Sequence, residues 1–393
     1  MTDSVSDIGK SPPIIAFCKD WDDDPTSNHH VLAELAKTRT VVWINSLGMR
    51  RPSLVSRSDR RRLLRKVREL VRRPRNVGDR LWVVTPVVVP FPDSALAQRL
   101  NALLLGLALR MLRRRLRIED FQLWTFLPNV ADYVGRFGES LSVYYCVDEF
   151  SLFSGLDTER TVEAERRLLA KVDCVFAVNE ALRNAKLEHN PETHLSMHGV
   201  DRELFAQALD PATTVPADLA RLPTPVLGFY GSIADWVDLE LIGGIARRRA
   251  NWTIALIGPV SRDTEAIDAL PNVRLLGRRP HRMLPAYCRS FAVGLIPYLI
   301  DERSPYVNPV KLREYLSAGL PVVSTPVDEV LGHGDLCTVA ADSDGFIEAI
   351  EEALASDSAQ ARQRRSEAMV AGTWEERVRS VAETVEKVAA RKR

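Results

Sequence analysis

The residues best suited to chemistry lie in one short stretch, Ser304 to Thr325, which reads SPYVNPVKLREYLSAGLPVVST. Asn308 suits a helix cap and Pro309 the first helical position, while Gly319 and Pro321 stop the helix before a short buried strand. The pattern predicts a helix over 309–318. Its leading amides and dipole form a site for an anion, and Lys311 in the first turn adds a cation where a diphosphate would rest. Glu314 follows three residues later on the same face, where a carboxylate accepts hydrogen bonds from sugar hydroxyls, as acidic residues do for ribose in other nucleotide sites. The plainer reading is a surface Lys311–Glu314 pair at helical spacing, worth roughly 0.2–0.5 kcal/mol.

Other chemistry-bearing residues are more scattered. Asp20, Asp22 and Asp24 form overlapping D-x-D spacings that can hold a divalent cation, but they follow a predicted strand in a loop where acids are common, so no metal is expected. His29 and His30 are adjacent and point to different sides of any helix. The five cysteines (Cys18, Cys146, Cys174, Cys288 and Cys337) contain no C-x-x-C pair, which argues against a disulfide framework or a structural zinc. Neither a G-x-x-x-x-G-K loop nor a G-x-G-x-x-G turn occurs, so P-loop ATPases and ordinary dehydrogenases lose support.

The elements that must position these residues alternate along the chain. Strands are predicted at Ile14–Phe17, Thr40–Asn45, Leu81–Val89, Gln122–Phe126, Ser142–Val147 and Cys174–Val178, then at Val226–Tyr230, Thr253–Ile257, Val273–Leu276, Ala292–Ile296, Pro321–Ser324 and Thr338–Ala340. Longer amphipathic segments separate them, the signature of parallel sheets in an α/β protein. At 393 residues the chain favours two domains. The proline-punctuated stretch 206–225 is the expected linker, joining an N-terminal domain over 1–205 to a C-terminal domain over 226–372. A last helix over 373–393, with Trp374, Val378, Val381, Val385 and Val388 in helical register, can pack on either domain, back on the N-terminal one included.

The 53 Lys and Arg balance 52 Asp and Glu to a net charge of +1, which gives no overall case for nucleic acid. Charge is nonetheless concentrated locally. Arg50 to Arg80 holds thirteen basic residues against three acids, and Arg113, Arg114, Arg115 and Arg117 follow an apolar run. This is either a solvated basic helix or, with Leu63, Leu64, Val67, Leu70 and Val71 among the charges, a surface for anionic lipid. The first residues lack the apolar core of a secretory signal, and the longest apolar run, Ala102–Leu109, is too short for a membrane span. The expected location is the cytoplasm, peripheral to the inner face of the plasma membrane.

The Asn308–Pro321 pattern resembles the donor-site motif of GT-B glycosyltransferases, particularly bacterial group-4-like enzymes, and further matches follow in order. Phe229-Tyr230-Gly231-Ser232 with Asp238 is similar to that family's first C-terminal strand and glycine turn, Leu256-Ile257-Gly258-Pro259 to the end of its second, and Asn272–Gly277 with Leu284–Tyr287 to the segment bordering the base. His198-Gly199-Val200-Asp201 with Phe205 resembles the joint before the linker. In the N-terminal half, Tyr144–Phe150 resembles the Y-x-C-V-D-(D/E)-F segment of teichuronic-acid-type glycosyltransferases, and Asn28-His29-His30 their first helix start. The resemblance implies two Rossmann-like domains facing across a cleft. Nucleotide sugar is then held by the C-terminal domain through Gly231, Ser232, Gly258, Arg278, Ser304, Asn308, Lys311 and Glu314. A carbohydrate or lipid-linked acceptor falls to the other domain, with His29, His30 and Glu149 as candidate contacts. The donor is substrate, so no cofactor is implied.

One departure bears on mechanism. Many retaining relatives carry a second glutamate eight positions before Glu314, where this chain has Tyr306. In this the chain is similar to the xanthan-type glucuronosyltransferases, in which a lysine grips the donor and an N-domain aspartate acts as base. Asp148, at the carboxyl end of a predicted strand, is the matching candidate, against the plainer reading of a turn acid. The resemblance thus implies sugar transfer to a cell-surface polysaccharide or lipid-linked precursor, with Lys311 and Asp148 catalytic. The competing functions are a nucleotide-sugar epimerase of the same architecture and a non-catalytic binding protein that keeps the fold.

Overall fold

Four-residue runs of wholly buried side chains are what a strand covered on both faces demands, and most strands of this chain have them. The computed structural model describes residues 11–47, 74–86, 88–89 and 94–392; most of the basic region 50–80, from 50 to 73, lies outside the described residues. The chain divides into two compact units that part at Met197/His198 and again at Arg377/Val378.

The first unit is built on β1 (Ile14–Phe17), β2 (Val41–Ile44), β3 (Arg75–Gly78), β4 (Leu81–Val84), β5 (Gln122–Thr125), β6 (Leu141–Cys146), β7 (Cys174–Ala177) and β8 (Thr193–Leu195). Their order across the sheet is β3-β4-β2-β1-β5-β6-β7-β8. All the pairings are parallel except β3 with β4. The second unit carries β9 (Val226–Tyr230), β10 (Thr253–Ile257), β11 (Val273–Leu275), β12 (Phe291–Ile296), β13 (Val322–Ser324) and β14 (Cys337–Val339), ordered β11-β10-β9-β12-β13-β14 and parallel throughout. In both sheets the order reverses beside the first strand of the unit, the switch point at which open α/β sheets bind ligands.

The twelve predicted strands are all present. The two the sequence pattern missed are edge strands: β3 is largely exposed and antiparallel, and β8 is three residues long. Neither carries an apolar run, because an edge strand is covered on fewer sides.

The stretch expected as a linker, 206–225, folds into the second unit. Leu219 is buried in its core, and Asp218 pairs with Arg279 at 2.7 Å and accepts from Tyr287 Oη. The chain is pinned further upstream, where Val200 donates to the Gly372 carbonyl and Gly199 lies flat against Trp374 with no room for a Cβ. From Val378 onward, the terminal helix Trp374–Lys392 belongs with the first unit, where Arg391 pairs with Glu192 and Lys392 with Asp173.

Candidate active site

In the second unit the chemistry gathers at the carboxyl end of β9. The chain leaves this strand through Gly231 at φ +131°, and β10 ends in Gly258 at φ +151°, both in the region that only glycine adopts without strain. The two turns are stacked so closely that a Cβ on Gly258 would lie 1.9 Å from the Gly231 carbonyl oxygen. The glycines therefore bring bare backbone to the sheet edge. A Cβ on Gly231 would meet Lys311 Nζ at 2.9 Å, so the lysine stands directly over that backbone.

Lys311 reaches this position from the helix Val310–Ser317. Its Nζ donates to Tyr298 Oη at 2.7 Å and lies 5.4 Å and 5.3 Å from the ring centroids of Phe229 and Tyr298. No carboxylate is in ion-pair contact with it among the described residues. The sequence suggested Glu314 as its surface partner, and the structure shows otherwise. Glu314 is buried and bonded to His281 Nε2 at 2.8 Å. Burial alone would push the Glu314 carboxyl up, but the hydrogen bond and charge of His281, with Tyr230 and Lys311 behind them, hold it below the usual glutamate value.

The helix is anchored from its other face. Tyr315 lies on Gly294 of β12, where a Cβ would fall 2.8 Å from its ring, and its hydroxyl accepts from the Tyr230 amide at 3.2 Å. Helix and β9 are thus locked in register, with Lys311 and Glu314 at fixed heights above the strand end.

Two helix details differ from expectation. Pro309 is the cap residue and the helix starts at Val310; Asn308 lies one residue earlier, and its side-chain oxygen accepts from buried Arg313 at 2.8 Å. Arg313 also pairs with Glu329, so Asn308 positions a structural arginine. Ser304 is likewise turned inward: its hydroxyl accepts from the Asp301 amide at 2.8 Å, closing the loop before the helix. Arg303 pairs with Asp301 and, at 3.2 Å, with Asp235. Ser232 and Arg278 are both exposed, Ser232 on the turn after β9 and Arg278 just after Gly277, whose carbonyl accepts from the Gly258 amide.

In the first unit, Asp148 stands just beyond β6. Burial pushes its carboxyl up to about 7, the neighbouring Glu149 charge adds to the rise, and Lys19 opposes it. A carboxylate that gains and loses its proton near neutrality is fitted to act as a general base.

Below it lies an ion network. Lys186 Nζ donates to Glu149 at 2.6 Å and to Glu165 at 2.7 Å, and Tyr144 Oη donates to Glu165 at 2.7 Å. Glu149 also accepts from Ser151 at 2.5 Å. The network holds the β6 exit and commits Glu149, a candidate acceptor contact, to internal pairing. His29 is committed in the same way. The Thr26 amide donates to its Nδ1 at 3.3 Å, Nε2 faces the Trp21 carbonyl at 3.0 Å, and its ring packs against Trp21 and Trp43. Burial, the largest influence, lowers its pKa to about 4. His30, next to it, is only partly buried. Asp20 accepts from the Ser46 amide and Asp22 pairs with Arg75, so two members of the D-x-D run serve the loop.

Three participants escaped the sequence reading. Tyr298 follows β12 by two residues, and its place at a strand end was the available signal. His281 and Lys186 meet their partners 33 and 21 residues away along the chain, with no local pattern to mark them.

Residues 224–356 match the family described as glycosyl transferases group 1. A Bacillus subtilis (strain 168) protein assigned to teichuronic acid biosynthesis as the glycosyltransferase TuaH is 28% identical over 223 residues, 52% of this chain. The match spans about half of that relative, 55% of its length. HepE of Anabaena in complex with UDP superposes with a TM-score of 0.65 at 13% identity, over 96% of this chain and 100% of that one. Sucrose-phosphate synthase of Thermosynechococcus elongatus gives 0.68 at 14% identity, over 97% and 100%. The fold is therefore GT-B, two Rossmann-like domains in one chain.

Proposed function

We propose that this GT-B chain is a glycosyltransferase that moves a sugar from a nucleotide-sugar donor to a cell-surface polysaccharide or lipid-linked acceptor. The observation that carries the reading is Lys311 Nζ standing over the bare Gly231 backbone at the carboxyl end of β9, with no carboxylate in ion-pair contact among the described residues. A cation so placed, next to a helix start, is arranged for a diphosphate. Glu314, held ionised by His281, is the acceptor for ribose hydroxyls. Gly231 and Gly258 let the diphosphate approach the backbone, and Ser232 and Arg278 lie on the adjoining turns. Similar HepE structures hold UDP and UDP-glucose, which favours a uridine donor.

The chemistry asks for two aids. As the bond between the anomeric carbon and the leaving phosphate oxygen breaks, negative charge builds on the diphosphate, and Lys311 stabilises it. The acceptor oxygen attacks that carbon while its proton passes to Asp148, whose pKa near 7 suits a base working at neutrality. Direct attack inverts the anomeric configuration, in keeping with Tyr306 in place of a second glutamate. The homology to a teichuronic acid enzyme supports an envelope polysaccharide as acceptor, with His30 as a contact. No step requires a metal.

A thermal-shift panel of UDP, GDP and ADP tests the donor site, since a ligand that binds only the native state raises its melting temperature. UDP is expected to shift melting, and Lys311→Ala to weaken it about 10- to 100-fold, the worth of one charge-assisted contact. If none of the three nucleotides shifts the wild-type protein, the donor site is wrong. Nucleotide-sugar turnover that yields free epimer without acceptor would point to an epimerase instead.

A further inference from the structure

We infer that the helix Ala95–Leu116 is an anionic-membrane docking element, with one apolar face set into the protein and a second left for lipid. The inward face presents Ala97, Leu105, Leu109 and Leu112, all buried in the first unit. On the opposite side Leu96, Leu100, Leu103, Leu107 and Met111 follow one another at steps of four, three, four and four, which keeps them on a single face. These large apolar side chains are exposed: Leu96 by 78%, Leu103 and Met111 by 66%, Leu107 by 54%. A helix that is apolar on two opposite faces has one more than its own domain can cover, and a contiguous exposed stripe of this kind marks an interaction surface.

Charge says what the stripe meets. The helix carries five arginines and no acid. Arg113 is turned inward, donating to the Phe137 carbonyl and lying over the Phe121 ring. Arg99, Arg110, Arg114 and Arg115 are exposed, and Arg117 extends the group at the helix end. Two copies of the stripe placed face to face would bring like charges together. A bilayer of anionic lipid supplies both the acyl boundary that the leucines need and the headgroup phosphates that the arginines need. No helix among the described residues is long and apolar enough to cross a membrane, so this helix would lie in the interface. The inference is independent of the donor site, which is in the other unit.

The test is co-sedimentation of the full chain with vesicles of phosphatidylglycerol and phosphatidylcholine, against vesicles of phosphatidylcholine alone. The wild-type protein should pellet with the anionic vesicles and weakly with the neutral ones, and added salt should release it. Leu103→Glu with Leu107→Glu should cut the bound fraction at least tenfold. Arg110→Glu with Arg114→Glu should cut it a further twentyfold or so, at about fivefold per arginine near an anionic surface. Both variants should keep the wild-type melting temperature and UDP shift. Failure of the wild-type protein to pellet, or equal pelleting of the variants, would overturn the inference. So would a lower melting temperature of the leucine variant without lipid, which would mean that the chain itself covers the stripe. Stripe-dependent self-association in lipid-free solution would overturn it in favour of a second copy. A protein that pellets but ignores UDP would keep the docking surface and lose the donor site.

Discussion

Lys311 Nζ reaches the carboxyl end of β9 from its helix and Asp148 stands just beyond the carboxyl end of β6, and their surroundings are opposite in character. Lys311 Nζ is bonded to a phenol and lies against two aromatic faces, with no carboxylate in ion-pair contact among the described residues. Asp148 is hemmed in by protein, with another carboxylate next in sequence, and its proton is held up to about pH 7. On the proposed reading one unit receives negative charge and the other takes up a proton, so the two Rossmann-like domains would differ in task through the few residues at their strand ends.

Asp148→Asn should lower kcat by about 10²- to 10⁴-fold, the range of general-base catalysis, and leave UDP binding unchanged. The pH dependence is the discriminating part. Wild-type turnover should rise as pH passes through about 7, where Asp148 loses its proton, and the variant should lack that limb. Stability should move the other way. A carboxyl with a raised pKa in the folded protein stabilises it below the unfolded value near 3.8, and that contribution disappears as pH climbs through 7. Asp148→Asn should therefore melt above the wild type at pH 8 and level with it at pH 4. An unchanged pH profile with wild-type turnover would remove Asp148 from the mechanism.

Next in size is the network under that aspartate. Lys186 lies between Glu149 and Glu165 and is almost wholly buried, so Lys186→Met leaves two carboxylates without their cation. Breaking a buried pair from one side costs about 3–5 kcal/mol, and the urea midpoint should fall accordingly. The second unit should be spared, with the UDP shift of the surviving folded protein intact. A variant as stable as the wild type would show that the network contributes nothing to holding the β6 exit.

The two sites were not equally legible in the sequence. Lys311 and Glu314 belong to one helix with recognisable stops on both sides, so spacing alone put them on one face; the α/β class followed from twelve apolar runs of the right length, and the GT-B architecture from the family resemblance. What spacing could not give was partnership. Spacing left open whether Lys311 and Glu314 were a surface ion pair or two separate ligand groups, and Tyr298 and His281, 13 and 33 residues away along the chain, give each its own partner. In the first unit nearly everything decisive is of this non-local kind. Glu149 and His29 had the residue types of contact groups, but burial gave them internal partners that no pattern along the chain announces. Asn308 was misplaced for a smaller reason: Pro309 has no amide hydrogen, so the helix lost nothing by starting one residue later.

The finest distinction concerns Glu314, whose carboxylate is shared between His281 and, on the proposed reading, a ribose. Glu314→Gln keeps the shape and removes the charge, so UDP affinity should fall about tenfold, the lower end of what one hydrogen bond to a charged group contributes. A nucleotide lacking the ribose hydroxyls resolves the two roles. Wild-type protein should lose a similar factor when given the deoxyribose analogue, whereas Glu314→Gln should bind both nucleotides nearly alike, because the interaction is already gone. Equal losses in both proteins would mean that Glu314 only holds His281 and the Phe205 edge it packs against. The donor grip would then reduce to Lys311 and the glycine turns, and selection of the nucleotide would have to come from the segment around Gly277.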